Sequence, residues 1–321
     1  MSQIEFTILG PGAIGSILGA HLARAGHSVT MLARGRRAQQ LQSEGLTIKG
    51  LAEFTVPVRT LTDPAELQST DVLVVATKTP GTAAALAKLR HAKVGLAFSI
   101  QNGVFKNRML VDAFGQDRVL GSLANTSGEL LPSGEVLFTR NVNLLVGELA
   151  GGDSERAQRV AAAIDASGVR STAVPDILSL EWSKFASWTG FMMLAVSTRA
   201  PTWKYMTDPD GALLLARLVR ETGALAHASG VQLTDQSMLP VATMCRVSEK
   251  AAVEAVIQAG EDFKRNAPQH RMSSLQDLDA GRPLEIEETI GFAVSEAARL
   301  KVQAPLMESL CHLVRAIDRT R

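Results

Sequence analysis

The chain has 321 residues, with 33 Lys and Arg against 32 Asp and Glu and a formal net charge of +1. That length suits two domains, each able to bury its own core, and the charge balance gives no electrostatic reason to seek nucleic acid or an anionic membrane surface. The two cysteines, Cys245 and Cys311, form no C-x-x-C and join no His/Cys cluster at metal-ligand spacing. They read as small apolar side chains, no metal is expected, and the low usage fits a reducing compartment.

The N-terminus runs straight into a β-branched strand over 4–9, with no basic or apolar leader ahead of it, so no secretory signal is expected. The strongest apolar stretch, 191–196, is far below the ~20 residues of a membrane span, and a cytoplasmic protein is expected. A helix over 13–25 closes at Gly26, and a second strand covers 28–33. Further strands are expected over 72–76 and 94–100, with helices over 82–90 and 105–114. A strand over 119–123 follows. After the turn residues Leu131-Pro-Ser-Gly134 comes an antiparallel pair, 136–139 with 143–147. Strands alternating with helical patterns predict an α/β domain with a parallel sheet. Past Pro175 the pattern changes to long helices over 177–195, 211–229, 248–263, 284–300 and 305–319, with a polar loop over 266–274. The expected domains are therefore 1–174, a Rossmann-type dinucleotide-binding domain, and 175–321, an all-α domain.

Gly10-Pro-Gly12-Ala13-Ile14-Gly15 lies between the first strand and the first helix. The first glycine permits the tight turn, the second lets backbone approach a pyrophosphate, and the third lets the helix pack on the strand. The helix N-terminus then offers free N–H groups to the phosphates. An acidic residue at the end of the second strand would favour NAD. Here stand Arg34, Arg36 and Arg37 with no acid nearby, which favours the 2′-phosphate of NADP. A Tyr-x-x-x-Lys proton donor is impossible, since Tyr205 is the only tyrosine and Pro209 follows it four places on. The ligands of a catalytic zinc are missing too, so a general acid must come from Lys, His or a carboxylate in the second domain.

The chain resembles the 2-dehydropantoate 2-reductase (ketopantoate reductase) family along nearly its whole length. The resemblance rests on Gly10 to Gly15, Arg34, Lys78, Gln101-Asn102-Gly103, Pro132-x-Gly134, Gly147-Glu148, Asp176-Ile177, Trp182-Ser-Lys184, Ser273-Ser-Leu-Gln-Asp277 and Leu284-Glu-Ile286, in order and at matching spacing. It implies an NADPH-dependent reduction of a 2-oxo acid, 2-dehydropantoate foremost, to a 2-hydroxy acid. By the same resemblance, Arg34 and Lys78 face the adenosine phosphate and Asn102 sits beside nicotinamide and substrate. Lys184 is then the general acid, Glu285 its acidic neighbour and Ser273 a donor to the substrate carboxylate. Taken without the family, Lys184 on an amphipathic helix reads as a solvated side chain. A homodimer is the assembly that helical second domains of this kind often form.

The chain departs from the family where asparagines normally follow the lysine by four and eight residues. Trp188 and Met192 stand there, His270 replaces another asparagine, and Ile290-Gly291 lacks one. Losing such donors costs ~1–3 kcal/mol per hydrogen bond and can redirect substrate preference. Trp188 and Met192 are read either as a more apolar substrate pocket or as core packing. Two further readings therefore stand beside the first: a reductase of a more apolar 2-oxo acid, and a non-catalytic NADP(H)-binding sensor.

Overall fold

The first sheet of the computed structural model, which describes residues 3–320, is built around four short strands with buried apolar runs. In chain order the elements of this part are β1 (Glu5–Leu9), α1 (Ala13–Arg24), β2 (Ser28–Leu32), α2 (Gly35–Glu44), β3 (Leu46–Gly50), β4 (Phe54–Val56) and β5 (Arg59–Leu61). There follow β6 (Ser69–Val75), α3 (Thr82–Ala87), β7 (Lys93–Ser99), α4 (Phe105–Phe114), β8 (Leu120–Leu130), β9 (Val136–Glu148), α5 (Glu155–Ala166) and β10 (Ser171–Ala173). The sheet runs β5-β2-β1-β6-β7, all parallel, with Phe6 opposite Val29 on one side and Val72 on the other. Val72 to Val75 are fully buried, as expected where crossover helices cover both faces. This is the Rossmann-type arrangement the alternating pattern called for. The strand β5 offers no apolar run to read in the sequence: it is three residues long and only Leu61 is buried.

A second sheet was not foreseen. The expected hairpin of 136–139 with 143–147 does not form. Those residues make one continuous strand, β9, whose antiparallel partner is β8, and Leu131–Gly134 turns between the two. The polar stretch Arg140-Asn-Val-Asn143 imitates a turn, but it is the exposed middle of a strand that keeps its pairing through register shifts near Ala124 and Ser127. On its other edge β9 carries β3, parallel along Val136 to Phe138, and β10, parallel along Leu144 to Val146. The helix α1 touches β1 and β2 of the first sheet and β3, β8 and β9 of the second. It is buried continuously from Gly15 to Leu22, which only a helix apolar nearly all round tolerates.

The contacts divide the chain into two units. One holds the residues up to Gln101 together with Lys106–Ile177, and the other holds Asn102–Phe105 and the chain from Leu178 onward. The second unit is helical: α6 (Ile177–Thr198), α7 (Thr202–Thr207), α8 (Pro209–Ala228), α9 (Val241–Met244), α10 (Glu249–Asn266), α11 (Ser273–Asp279), α12 (Phe292–Leu300) and α13 (Pro305–Thr320). The single helix expected over 284–300 does not form. Leu284 and Glu285 precede a π-helical turn, Ile286–Gly291, and the α-helix starts only at Phe292. Apolar spacing alone does not separate a π turn from an α turn, since both bury one face. The core of this unit gathers Phe185, Phe191 and Met193 of α6, Leu215 and Leu218 of α8, and Ile290. Among the described residues no helix is long and apolar enough to cross a membrane.

Candidate active site

The glycine turn is closed by two glycines and left open by the third. Gly10 has φ +105°, and a Cβ there would lie 2.6 Å from the Thr77 backbone nitrogen. A Cβ on Gly15 would lie 2.2 Å from the Gly10 carbonyl oxygen and 2.8 Å from Ala76 Cβ. A Cβ on Gly12 would meet nothing nearer than the Ala76 carbonyl oxygen at 3.9 Å. Gly10 and Gly15 therefore serve the fold, while the space beside Gly12 is open. Gly12 also caps α1 with no side-chain hydrogen bond, and the first turn, which starts Ala13-Ile14, carries no acid. Such a helix start binds phosphate through its amides and dipole.

Beside the turn lies a groove of about 430 Å³ lined by residues including Gly10, Pro11, Arg34, Thr62, Thr77 and Lys88. Arg34 is exposed, between the end of β2 and the start of α2. Lys78 is exposed shortly after β6 and is not among the lining residues. Lys88 was missed by sequence reasoning because it closes a short helix far from any motif, and only folding brings it to the groove. Gln101, in the middle of the Ile100-Gln-Asn102 stretch, is structural. Its Nε2 donates to the Thr77 carbonyl (3.0 Å) and to Thr82 Oγ1 (2.7 Å), while Ser99 Oγ donates to its Oε1 (2.9 Å). That network ties the ends of β6 and β7 at the rim of the sheet, where ligands bind in open α/β sheets. Arg34 and Lys88 give the groove two cations, and the glycine turn beside it opens a helix that has no side-chain cap, features that suit a ligand carrying phosphates.

In the helical unit, α6 is buried at every position from Ser179 to Val196 except Lys184, which is half-buried. Its aromatic residues stack along the helix, Trp182 edge-on to Phe185 and Phe185 parallel to Trp188 with centroids 6.3 Å apart. Trp188 is 6% exposed and Met192 fully buried, both within the hydrophobic core. Glu181 is also buried and shares a helix face with Lys184 by its i, i+3 spacing. The sequence reading overlooked it because only the fold shows its burial. Glu285 is buried at the entry to the π turn, where Thr289 Oγ1 donates to its carbonyl. The neighbouring acid Glu287 is committed elsewhere: Arg315 Nε donates to it at 2.8 Å and holds its carboxyl below the usual range.

The structure brings the Asn102 segment to that same turn. A Cβ on Gly103 would lie 3.1 Å from Thr289 Cγ2, and Phe105 stacks on Phe292 with centroids 4.7 Å apart. Ser273 is exposed as the first residue of α11. The polar loop ahead of it is tied to α7, with Trp203 Nε1 donating to the Pro268 carbonyl (3.1 Å) and Thr202 Oγ1 paired with His270 Nδ1 (2.8 Å). Among the described residues no group of three His, Cys, Asp or Glu side chains could hold a metal.

The ketopantoate reductase PanE/ApbA family model matches residues 6–151, and the model of that family's C-terminal part matches residues 176–318. A 2-dehydropantoate 2-reductase of Archaeoglobus fulgidus is 27% identical over 312 residues, which span 97% of each chain. The crystal structure of 2-dehydropantoate 2-reductase from Methylococcus capsulatus superposes with a TM-score of 0.81 at 26% identity, covering 98% of this chain and 96% of that one. D-mandelate dehydrogenase, solved with NADH and anilino(oxo)acetate, has the same fold, with a TM-score of 0.82 at 17% identity and 98% of each chain covered.

Proposed function

The chain belongs to the ketopantoate reductase PanE/ApbA family, oxidoreductases acting on CH–OH groups with a nicotinamide dinucleotide, and on that premise we propose that it reduces a 2-oxo acid to the 2-hydroxy acid with NADPH, 2-dehydropantoate being the leading substrate. The preference for NADPH is supported by Arg34 and Lys88 along the groove and by the absence of an acid at the end of β2. Lys78, exposed shortly after β6, is proposed to meet the adenosine phosphate as well.

The observation that carries the catalytic reading is the burial of α6, where Lys184 is the one residue from Ser179 to Val196 that keeps a half-exposed side chain. An ammonium is costly to bury, so a lysine on a core helix needs a reason to be there. The cofactor held at the glycine turn would supply the hydride. Lys184 hydrogen-bonds the carbonyl oxygen, stabilises the charge that builds on it, and transfers a proton to it, regaining one from solvent afterwards. Glu285 aims the ammonium, Asn102 orients the reacting carbonyl, and Ser273 donates to the substrate carboxylate.

A second reading concerns the acid. By the family resemblance Trp188 and Met192 stand where donors are expected; both pack into the core, so what favours a more apolar 2-oxo acid is the loss of those donors rather than any lining by these two side chains. The fold that D-mandelate dehydrogenase shares with this chain also holds anilino(oxo)acetate, so fold alone does not choose. NADPH oxidation followed with 2-dehydropantoate and a panel of alkyl and aryl 2-oxo acids decides between the two. The same assay on Lys184→Ala tests the proton donor: a rate within about tenfold of the parent removes the assigned role. Absence of turnover with every acid, despite tight NADPH binding, would leave a cofactor-binding sensor instead.

A further inference from the structure

Arg37 is one of three arginines that follow β2, and charge alone would make it a companion of Arg34 at an anionic ligand. Its geometry says otherwise. Nε donates to the Pro11 carbonyl (3.2 Å), and Nη2 donates to Ser16 Oγ (3.0 Å), whose own hydroxyl donates to the same Pro11 carbonyl (3.1 Å). Nη1 donates to the Gly134 carbonyl (2.7 Å) and to Gln40 Oε1 (2.9 Å). Gln40 Nε2 in turn donates to the Ser133 carbonyl (2.7 Å). Four of the five guanidinium N–H groups are thus spent on protein acceptors. Together they bind the start of α2, the turn between β8 and β9, and the middle of the glycine turn.

The chemistry follows from the peptide plane. In a trans peptide the carbonyl of one residue and the N–H of the next point in opposite directions, and the described residues contain no cis peptide bond. Holding the Pro11 oxygen on the protein side therefore aims the Gly12 N–H away from it. Gly12 is the residue that opens α1, and a Cβ on it would meet nothing nearer than 3.9 Å.

We propose that Arg37 is a positioning residue for the cofactor pyrophosphate: it locks the Pro11–Gly12 peptide so that the Gly12 amide is presented to the phosphates, and it makes no contact with the adenosine 2′-phosphate. The inference rests on the dinucleotide reading above and adds a residue to it. Substitution of Arg37 should weaken any ligand that carries the pyrophosphate and spare one that carries only the 2′-phosphate.

The test uses the full chain with two probes, NADPH and adenosine 2′-monophosphate, titrated against the parent, Arg37→Gln, Arg37→Lys and Arg34→Ala. Arg37→Gln is expected to raise the Kd for NADPH by about tenfold, the loss of roughly 1.4 kcal/mol, while the Kd for adenosine 2′-monophosphate stays within about twofold. Arg34→Ala should weaken both probes. In turnover, the KM for NADPH should rise in Arg37→Gln by more than kcat falls. Arg37→Lys, which keeps the charge but not the planar fork, should show the same pattern more mildly, and it serves if the glutamine variant does not fold. Weakening of both probes by either Arg37 variant would make Arg37 a direct phosphate ligand and overturn the proposal. An unchanged Kd for NADPH would reduce the network to packing and overturn it equally. Failure of the parent to bind NADPH would overturn the dinucleotide reading itself.

Discussion

The α/β unit and the helical unit prepare their candidate residues by different means. In the first, main chain does the work: Gly10 and Gly15 close a turn that a methyl group would wreck, Gly12 leaves a face open, and α1 starts without a side-chain cap. In the second, side chains are set against their surroundings: Lys184 on a buried helix, Glu285 buried at a π turn, and Glu287 drawn off by Arg315. A glycine turn is a demand on dihedral angles, whereas an ionisable group on a core helix is a demand on environment.

The contrast can be broken at its strongest point first. Gly15→Ala places a Cβ 2.2 Å from the Gly10 oxygen. It should cost on the order of 3 kcal/mol of stability and abolish NADPH binding, as read by thermal melting and fluorescence titration. Met192→Ala removes a fully buried side chain from the helical core, and denaturant unfolding should show a loss of roughly 2–5 kcal/mol. Little loss would instead favour the substrate-pocket reading of that position.

Gly12→Ala separates binding from stability. Nothing in the protein opposes its methyl within 3.9 Å, so the melting temperature should hold while the Kd for NADPH rises about tenfold or more, roughly 1.4 kcal/mol. A fall in stability matching that of Gly15→Ala would show that both glycines serve the fold alone.

The smallest effect concerns an ion pair of the α/β unit. Hydrogen bonds from Arg156, with help from Ser154, hold the Glu148 carboxyl below its usual range against the opposing effect of burial. A lowered folded-state pKa contributes stability above the ordinary glutamate range and loses it as pH falls through the lowered value. Glu148→Gln should therefore be less stable than the parent near neutral pH by about 1 kcal/mol or less, given the partial exposure of Arg156. The gap between the two melting curves should close in acid, and a gap constant with pH would remove the ion pair as its cause.

How far the fold could be read in advance varied with how local its causes are. The strands β1, β2, β6 and β7 and the helix α1 were legible because apolar runs and turn residues sit next to one another in the chain. The strand β9 was misread as a hairpin because Arg140 to Asn143 are polar. They stay extended through pairing with β8, whose two register shifts lie far away in sequence. The helix over 284–300 was read too long at its start because the π turn that sets Glu285 apart keeps the same apolar face. Lys88, Glu181 and the network around Arg37 had no sequence signature, since each acquires its setting from elements remote in the chain.

The amino-acid order alone determined the glycine turn, the basic residues after the second strand and the change from alternating strands to helices, because each follows from local backbone preference or the period of apolar side chains. Tertiary structure alone decided that Lys184 is the half-exposed residue of a buried helix, that Glu287 belongs to Arg315, and that Arg37 faces the Pro11 carbonyl rather than solvent. Burial and hydrogen-bond partners are properties of the packed neighbourhood, and distant segments create that neighbourhood only once the chain has folded.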